Sequence, residues 1–167
     1  KRPRRRCFYS VFHAMATSEI MSHLDRFKES FLWAAAKGGR VEECQSLLEM
    51  GADVNWRSPE GDTCLLSACR NGHEEAALFL LNHGARADAA TADGETALHL
   101  CCKRGSEALA VVILERGCDP DLQDNEGRTA FDAAGPGCPP DTIRRLMLLA
   151  EQRRGWVRGR GGHGSSG

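Results

Sequence analysis

One spacing restricts this chain more than any other feature. Gly61-Asp62-Thr63-Cys64-Leu65 is followed 33 residues later by Gly94-Glu95-Thr96-Ala97-Leu98, and after another 33 by Gly127-Arg128-Thr129-Ala130-Phe131. A second landmark keeps the same step: Gly51-Ala52-Asp53, Gly84-Ala85-Arg86 and Gly117-Cys118-Asp119. Two landmarks on one fixed period imply a supersecondary unit stacked on copies of itself, because one such unit cannot bury its apolar face alone.

Composition indicates the kind of unit. Aromatic residues make up only 6% of the 167, and the apolar content is rich in Leu and Ala. That favours helices packed closely through small residues over a β-sandwich core. The 18 Gly fall largely at expected helix ends and turns, with a further cluster near the end of the sequence.

Taken in order, residues 1–14 form a basic leader that is expected to be disordered. Lys1-Arg2-Pro3-Arg4 resembles a nuclear-import signal, and a solvated leader or flanking sequence is the plainer reading. Met15-Ala16 is a candidate natural start. Thr17 or Ser18 can cap a helix in which Ile20, Leu24, Phe27 and Phe31 recur as one apolar stripe. That helix should end at Gly38-Gly39. A partner over Val41–Met50 should bury Val41, Cys44, Leu47 and Leu48.

A projecting turn follows over residues 53–62. Thr63 then opens a short helix through Arg70, Gly72 breaks it, and a second helix runs from His73 to His83. Thr96–Lys103 and Ser106–Arg116 repeat the scheme. The next opening, Thr129-Ala130-Phe131, meets Gly135-Pro136-Gly137-Cys138-Pro139-Pro140, where a helix cannot continue. A last helix restarts near Asp141, and residues 154–167 read as a disordered Gly/Arg-rich tail.

Charge is unevenly placed. All 23 acidic residues lie between residues 15 and 151, whereas nine of the 22 Lys and Arg lie outside that span, so the body is about −10 and the ends together about +9. An acidic body argues against a repeat face that grips a nucleic-acid backbone, and leaves that role to the termini. The eight Cys (7, 44, 64, 69, 101, 102, 118 and 138) show no Cys-x2-Cys pattern. They read as buried thiols of a reducing compartment, with no metal expected. No cofactor is expected either. Neither a nucleophile–base–orienter spacing among the six His nor a phosphate-binding Gly loop is present, so the segment is read as non-enzymatic. There is no 18-residue apolar run, so no transmembrane helix or membrane partner is expected.

The unit as written, with Gly-x-Thr-x-Leu at its opening, Gly72-His73 at its break and Leu80-Leu81-Asn82-His83-Gly84-Ala85 at its close, resembles the ankyrin-repeat family. The resemblance covers about residues 28–153. The opening Phe31-Leu32-Trp33-Ala34 and the closing Gly-Arg-Thr-Ala-Phe look like a small four-unit member that acts by binding another protein. It implies an all-α, ankyrin-repeat solenoid of helix-turn-helix units with projecting turns, over residues 15–153. The units would span about 15–60, 61–93, 94–126 and 127–153. The family's Pro after Thr is replaced by Cys64, Ala97 and Ala130, and its His two residues further on survives only as His99, with Leu66 and Asp132 in the matching places. A thinner hydrogen-bond ladder and a softer array are expected.

The resemblance also implies a concave binding face, carried over by register. Basic residues at the short-helix ends (Lys37, Arg70, Lys103, Arg104) form one row, and acids in the turns (Glu60, Asp62, Asp93, Glu95, Glu126) form another. Trp56, Arg57, Asn71, Gln123 and Arg128 complete it. Such a face suits a peptide or domain with charges of both signs, and Trp56 is the expected anchor. Asn55 resembles the site that an asparaginyl hydroxylase modifies in such repeats; the plainer reading is a turn Asn that holds its own backbone. The expected function is an adaptor or scaffold, monomeric alone, cytoplasmic and possibly nuclear. The alternative is a nucleic-acid or chromatin-associated factor that uses its basic termini, including Arg158-Gly159-Arg160.

Overall fold

The computed structural model describes residues 18–160, with side chains described for residues 27–152. The architecture is all-α: α1 (Ser18–Lys37), α2 (Val41–Glu49), α3 (Cys64–Asn71), α4 (Glu74–Asn82), α5 (Ala97–Arg104), α6 (Glu107–Glu115) and α7 (Pro140–Arg160). The first helices of successive pairs, α1, α3 and α5, pack in one row. The second helices, α2, α4, α6 and α7, pack in another.

The sequence period becomes a packing period. Leu32, Leu65 and Leu98 are one step apart, and all are excluded from solvent. So are Ala35, Ala68 and Cys101 beside them, where small side chains let neighbouring helices approach. On the second row Leu80, Ile113 and Leu146 repeat the arrangement with larger groups. Each unit shares its core with the next, so stability is cooperative along the stack.

The ends of each unit are set locally. Thr63 is extended, and its hydroxyl accepts the Leu66 N–H at 3.3 Å, satisfying a donor that the first helical turn leaves unpaired. Nine glycines, in three registers 33 residues apart, have positive φ and mark helix ends and turn tips. Single antiparallel bridges close the turns: Arg57 with Thr63, Ala90 with Thr96, and Gln123 with Thr129. Inside each turn one buried oxygen collects backbone N–H groups. Ser58 Oγ takes the Asp62 N–H, Thr91 Oγ1 takes those of Asp93 and Glu95, and Asp124 Oδ1 takes those of Glu126 and Arg128.

Several expectations change. The stripe on α1 is not a buried one at its described positions, since Phe27 and Phe31 are 46% and 49% exposed while Leu32, Ala35 and Ala36 carry the burial. Of the four residues expected to be buried on α2, only Cys44 is; Val41, Leu47 and Leu48 are half-buried. Both departures lie at the stack end, where no described neighbour covers these faces. Past Gly127 the opening Ala130–Ala133 is a turn rather than a helix, because the Gly and Pro residues after it stop propagation. α7 begins at Pro140, the first-turn position where a missing N–H costs nothing, and runs to Arg160, beyond residue 153 where the sequence places the end of the domain. The leader over 1–14 and residues 161–167 lie outside the described residues.

Seven cysteines (44, 64, 69, 101, 102, 118 and 138) are buried free thiols. Burial pushes Cys64 and Cys102 up to about 12, and Cys44 and Cys118 up to about 11. Cys101 is raised further, first by a hydrogen bond with Cys69 and then by burial. Among the described residues no helix is long and apolar enough to cross a membrane.

Candidate protein-binding face

The residues expected on the binding face sit on the projecting turns and at the C-terminal ends of the first helices. Many of their charges meet each other. Arg70 grips Asp62 at 2.8 and 3.4 Å, joining the end of α3 to the turn before it. One unit later Lys103 holds Glu95 in the same way, again eight residues apart. Arg128 pairs with Asp124 at 2.9 Å and with Glu126 at 2.9 Å. Two pairs thus join the basic row to the acidic row, and Arg128 takes up a third member of the acidic row, Glu126. Asp62 itself is buried. Desolvation raises its carboxyl above the usual range; Arg70 opposes this, and nearby Glu60 and Asp93 add to it.

Other members of the face serve as clips. The Arg57 guanidinium donates to the carbonyls of Gly61 and Ala90, both at 2.9 Å, and so ties two consecutive turns. Arg104 donates to the Arg70 carbonyl at 3.1 Å and lies against Gly72, linking α5 back to α3. Asn71 donates to the Ser67 carbonyl at 2.8 Å. Gln123 is exposed at its bridge. Asn55 donates to the Gly84 carbonyl at 3.2 Å and accepts the Arg86 N–H at 2.9 Å, so its amide joins two turns rather than holding only its own. Lys37 leaves the pattern: its ammonium lies 4.7 Å from the Trp33 ring centroid, a cation–π contact. The Trp33 Nε1 beneath is buried without a hydrogen-bond partner.

What remains outward is a ridge. Glu60, Asp93 and Glu126 occupy the same turn-tip register, are exposed, and neither Glu60 nor Asp93 has an ion-pair partner among the described residues. Trp56 lies half-buried in the first turn.

The sequence reading omitted two residues that hold the face. Asp124 is buried beneath Arg128, and Asn125 donates to the Ala92 carbonyl at 3.0 Å while its N–H meets the Asp93 carbonyl at 3.0 Å. The signal for Asp124 was present, since Ser58, Thr91 and Asp124 share one register and all carry a side-chain oxygen. The ladder is thinned less than expected. His99 is fully buried, with Nδ1 facing the Thr96 N–H and hydroxyl and Nε2 meeting the Arg128 carbonyl at 3.1 Å. Asp132 keeps half of this role: its carboxylate accepts the Thr129 N–H at 3.1 Å and hydroxyl at 2.6 Å. Leu66 is the position that cannot.

Two of these carboxylates predict a pH dependence. Hydrogen bonds from Thr129 hold Asp132 below the usual range, and the backbone N–H of Arg128, foremost, does the same for Asp124. A depressed folded value stabilises the fold above the unfolded carboxyl range near ~4, and this stabilisation is lost as pH falls through the folded value. The double variant Asp124→Asn, Asp132→Asn should therefore show a flatter acid limb. Urea midpoints measured between about pH 4 and pH 2 would refute the assignment if wild type and variant fell in parallel.

Among the described residues no group of three or more His, Cys, Asp or Glu side chains is arranged to hold a metal ion. Comparison with protein families matches residues 9–91 to a family described as ankyrin repeats (3 copies) and residues 80–134 to one described as ankyrin repeats (many copies). The two matches overlap and together span well over half of the chain. No curated protein matches it significantly.

Proposed function

Because the chain belongs to the ankyrin-repeat family, whose repeats generally bind other proteins, we propose that it is a non-enzymatic, four-unit adaptor whose partner is a basic peptide or domain. The partner lies across the turn tips and first-helix ends. The observation that supports this most is the exposed ridge of Glu60, Asp93 and Glu126 with Trp56 at its start, beside basic residues already neutralised by Asp62, Glu95 and Asp124. The sequence alone suggested a partner with charges of both signs; the internal pairs leave Glu60 and Asp93 outward with no ion-pair partner among the described residues, and it is these two that a basic partner would meet. Trp56, half-buried on its turn, offers an apolar anchor of the kind that dominates interface energies. Ridge charges of this kind mainly steer encounter and reject wrong partners. Cytoplasmic or nuclear residence belongs to the same proposal. So does modification at Asn55, which would require its two inter-turn hydrogen bonds to open.

A displayed library of basic and acidic peptides, screened against the full chain, tests the reading. Basic binders are expected. Trp56→Ala should weaken them by about tenfold, equivalent to about 1.4 kcal/mol. The triple reversal Glu60→Lys, Asp93→Lys, Glu126→Lys should remove them with helical content unchanged. Binders indifferent to both variants would sink the proposal. Single-stranded nucleic acid that binds with a steep salt dependence, lost when the terminal Lys and Arg are replaced, would favour the rival use of the termini.

A further inference from the structure

The ion pairs of the turn-tip face follow a rule that the first unit breaks. In the two interior units, a cation near the end of the first helix holds a carboxylate eight residues earlier, brought to it by the projecting turn. Arg70 holds Asp62 at 2.8 Å, and Lys103 holds Glu95. Lys37 stands one period before Arg70, and the residue eight positions before it is again acidic, Glu29. No turn brings these two together. α1 runs unbroken from Ser18 to Lys37, so Glu29 lies about 12 Å back along the same helix, beyond the three- or four-residue spacing at which helical side chains meet.

Lys37 is accordingly left without a carboxylate. It is exposed, forms no ion pair among the described residues, and rests its ammonium on the Trp33 ring instead. Asp62, raised first by desolvation, feels the Lys37 charge through space, but both of its oxygens are taken by Arg70. Arg104 is engaged with the Arg70 carbonyl, and one period after Lys103 the chain has Pro136, which carries no charge. Among the described residues, the one open cation of the basic row therefore stands at the end of the stack from which the open acids Glu60 and Asp93 follow.

We propose that the partner is an extended basic peptide with one acidic residue at the end that lies over α1, and that its carboxylate takes the place on Lys37 that Asp62 holds on Arg70 and Glu95 on Lys103. This rests on the reading of the turn tips as a face for a basic partner, and adds the order of charges along it. Packed neighbouring helices are about 8–10 Å apart. A polyproline II chain returns to the same face every third residue, after a rise of about 9 Å. The chain that fits carries acid, base and base at every third residue, opposite Lys37, Glu60 and Asp93 in turn. Exposed ion pairs add little affinity, but a cation placed over Lys37 is repelled, so the pair selects the order.

Capped, proline-rich peptides with lysine at every third position over four sites test this against the full chain by fluorescence anisotropy. Glutamate replaces the first or the last lysine, and alanine replaces the same lysine in each control. One of the two glutamate peptides should bind about threefold to fivefold more tightly than its control, and the other should not. Lys37→Gln should remove that gain, and Lys37→Glu should turn it into a comparable loss, with helical content unchanged in both. If lysine peptides bind but the gain is absent, equal for both placements, or unchanged in Lys37→Gln, this proposal alone is overturned. If no lysine peptide binds, or binding survives the reversal of Glu60, Asp93 and Glu126, the reading of an acidic ridge fails and this inference with it.

Discussion

Replacing Gly105 by alanine is expected to destabilise the protein by about 3 kcal/mol, well beyond the same change at Gly117. Both glycines have positive φ, 77° and 89°, a conformation that costs an L side chain roughly 1–2 kcal/mol. Their surroundings differ. Nothing lies near a Cβ at Gly117, whereas at Gly105 it would overlap the carbonyl oxygen of Gly137. That atom is backbone, in the Gly135–Pro139 segment that leads into α7, so it cannot swing aside as a side chain can. Gly72 is the informative intermediate, because the atoms nearest a Cβ there belong to the Arg104 guanidinium, the far end of a flexible side chain. Chemical denaturation should rank Gly105→Ala as the most damaging, then Gly72→Ala, then Gly117→Ala. Equal midpoints for Gly105→Ala and Gly117→Ala would show that the close approach to Gly137 does not matter.

His99→Ala is expected to cost about 3–4 kcal/mol, through two effects that a control can separate. Removing a fully buried ring leaves a cavity, and it also strands the Thr96 N–H and the Arg128 carbonyl that the imidazole joins. Leu66 sits in the matching register and is equally buried but makes no such link. Leu66→Ala therefore measures the cavity alone, and His99→Leu measures mainly the lost polar links, about 2 kcal/mol. Because Nε2 reaches the following turn, the His99 variants should detach the α7 end of the stack before the rest. In a Trp156→Phe background, the remaining Trp33 and Trp56 report on the first units, while far-ultraviolet circular dichroism reports on all helices. The two unfolding curves should separate in His99→Leu and coincide in wild type. Coincident curves in both would rule out the inter-unit role.

The fold was legible because its determinants are local and repeated. Glycine at a left-handed position, threonine before a helix, and leucine on a fixed face each act within a few residues, and the 33-residue period multiplied a weak signal. The face was legible in position but not in charge. Asp62 with Arg70 and Glu95 with Lys103 are eight residues apart, across a turn-to-helix junction, and no helical spacing rule links them. Only the folded geometry shows that these residues satisfy one another, leaving Glu60, Asp93 and Glu126 outward. The exposure of Phe27 and Phe31 was not legible for a similar reason. A helical period identifies an apolar stripe, but it does not say whether a neighbour stands against it.

The buried thiols make the protein its own recorder of partial opening. They are spread from α2 through α3, α5 and the two later loops; each is shielded, and burial also holds Cys44, Cys64, Cys102 and Cys118 in the unreactive protonated form. A thiol-directed reagent added at neutral pH therefore meets each of them only when its own part of the stack lifts. The order in which they react is a map, written in covalent modification, of where the array frays first.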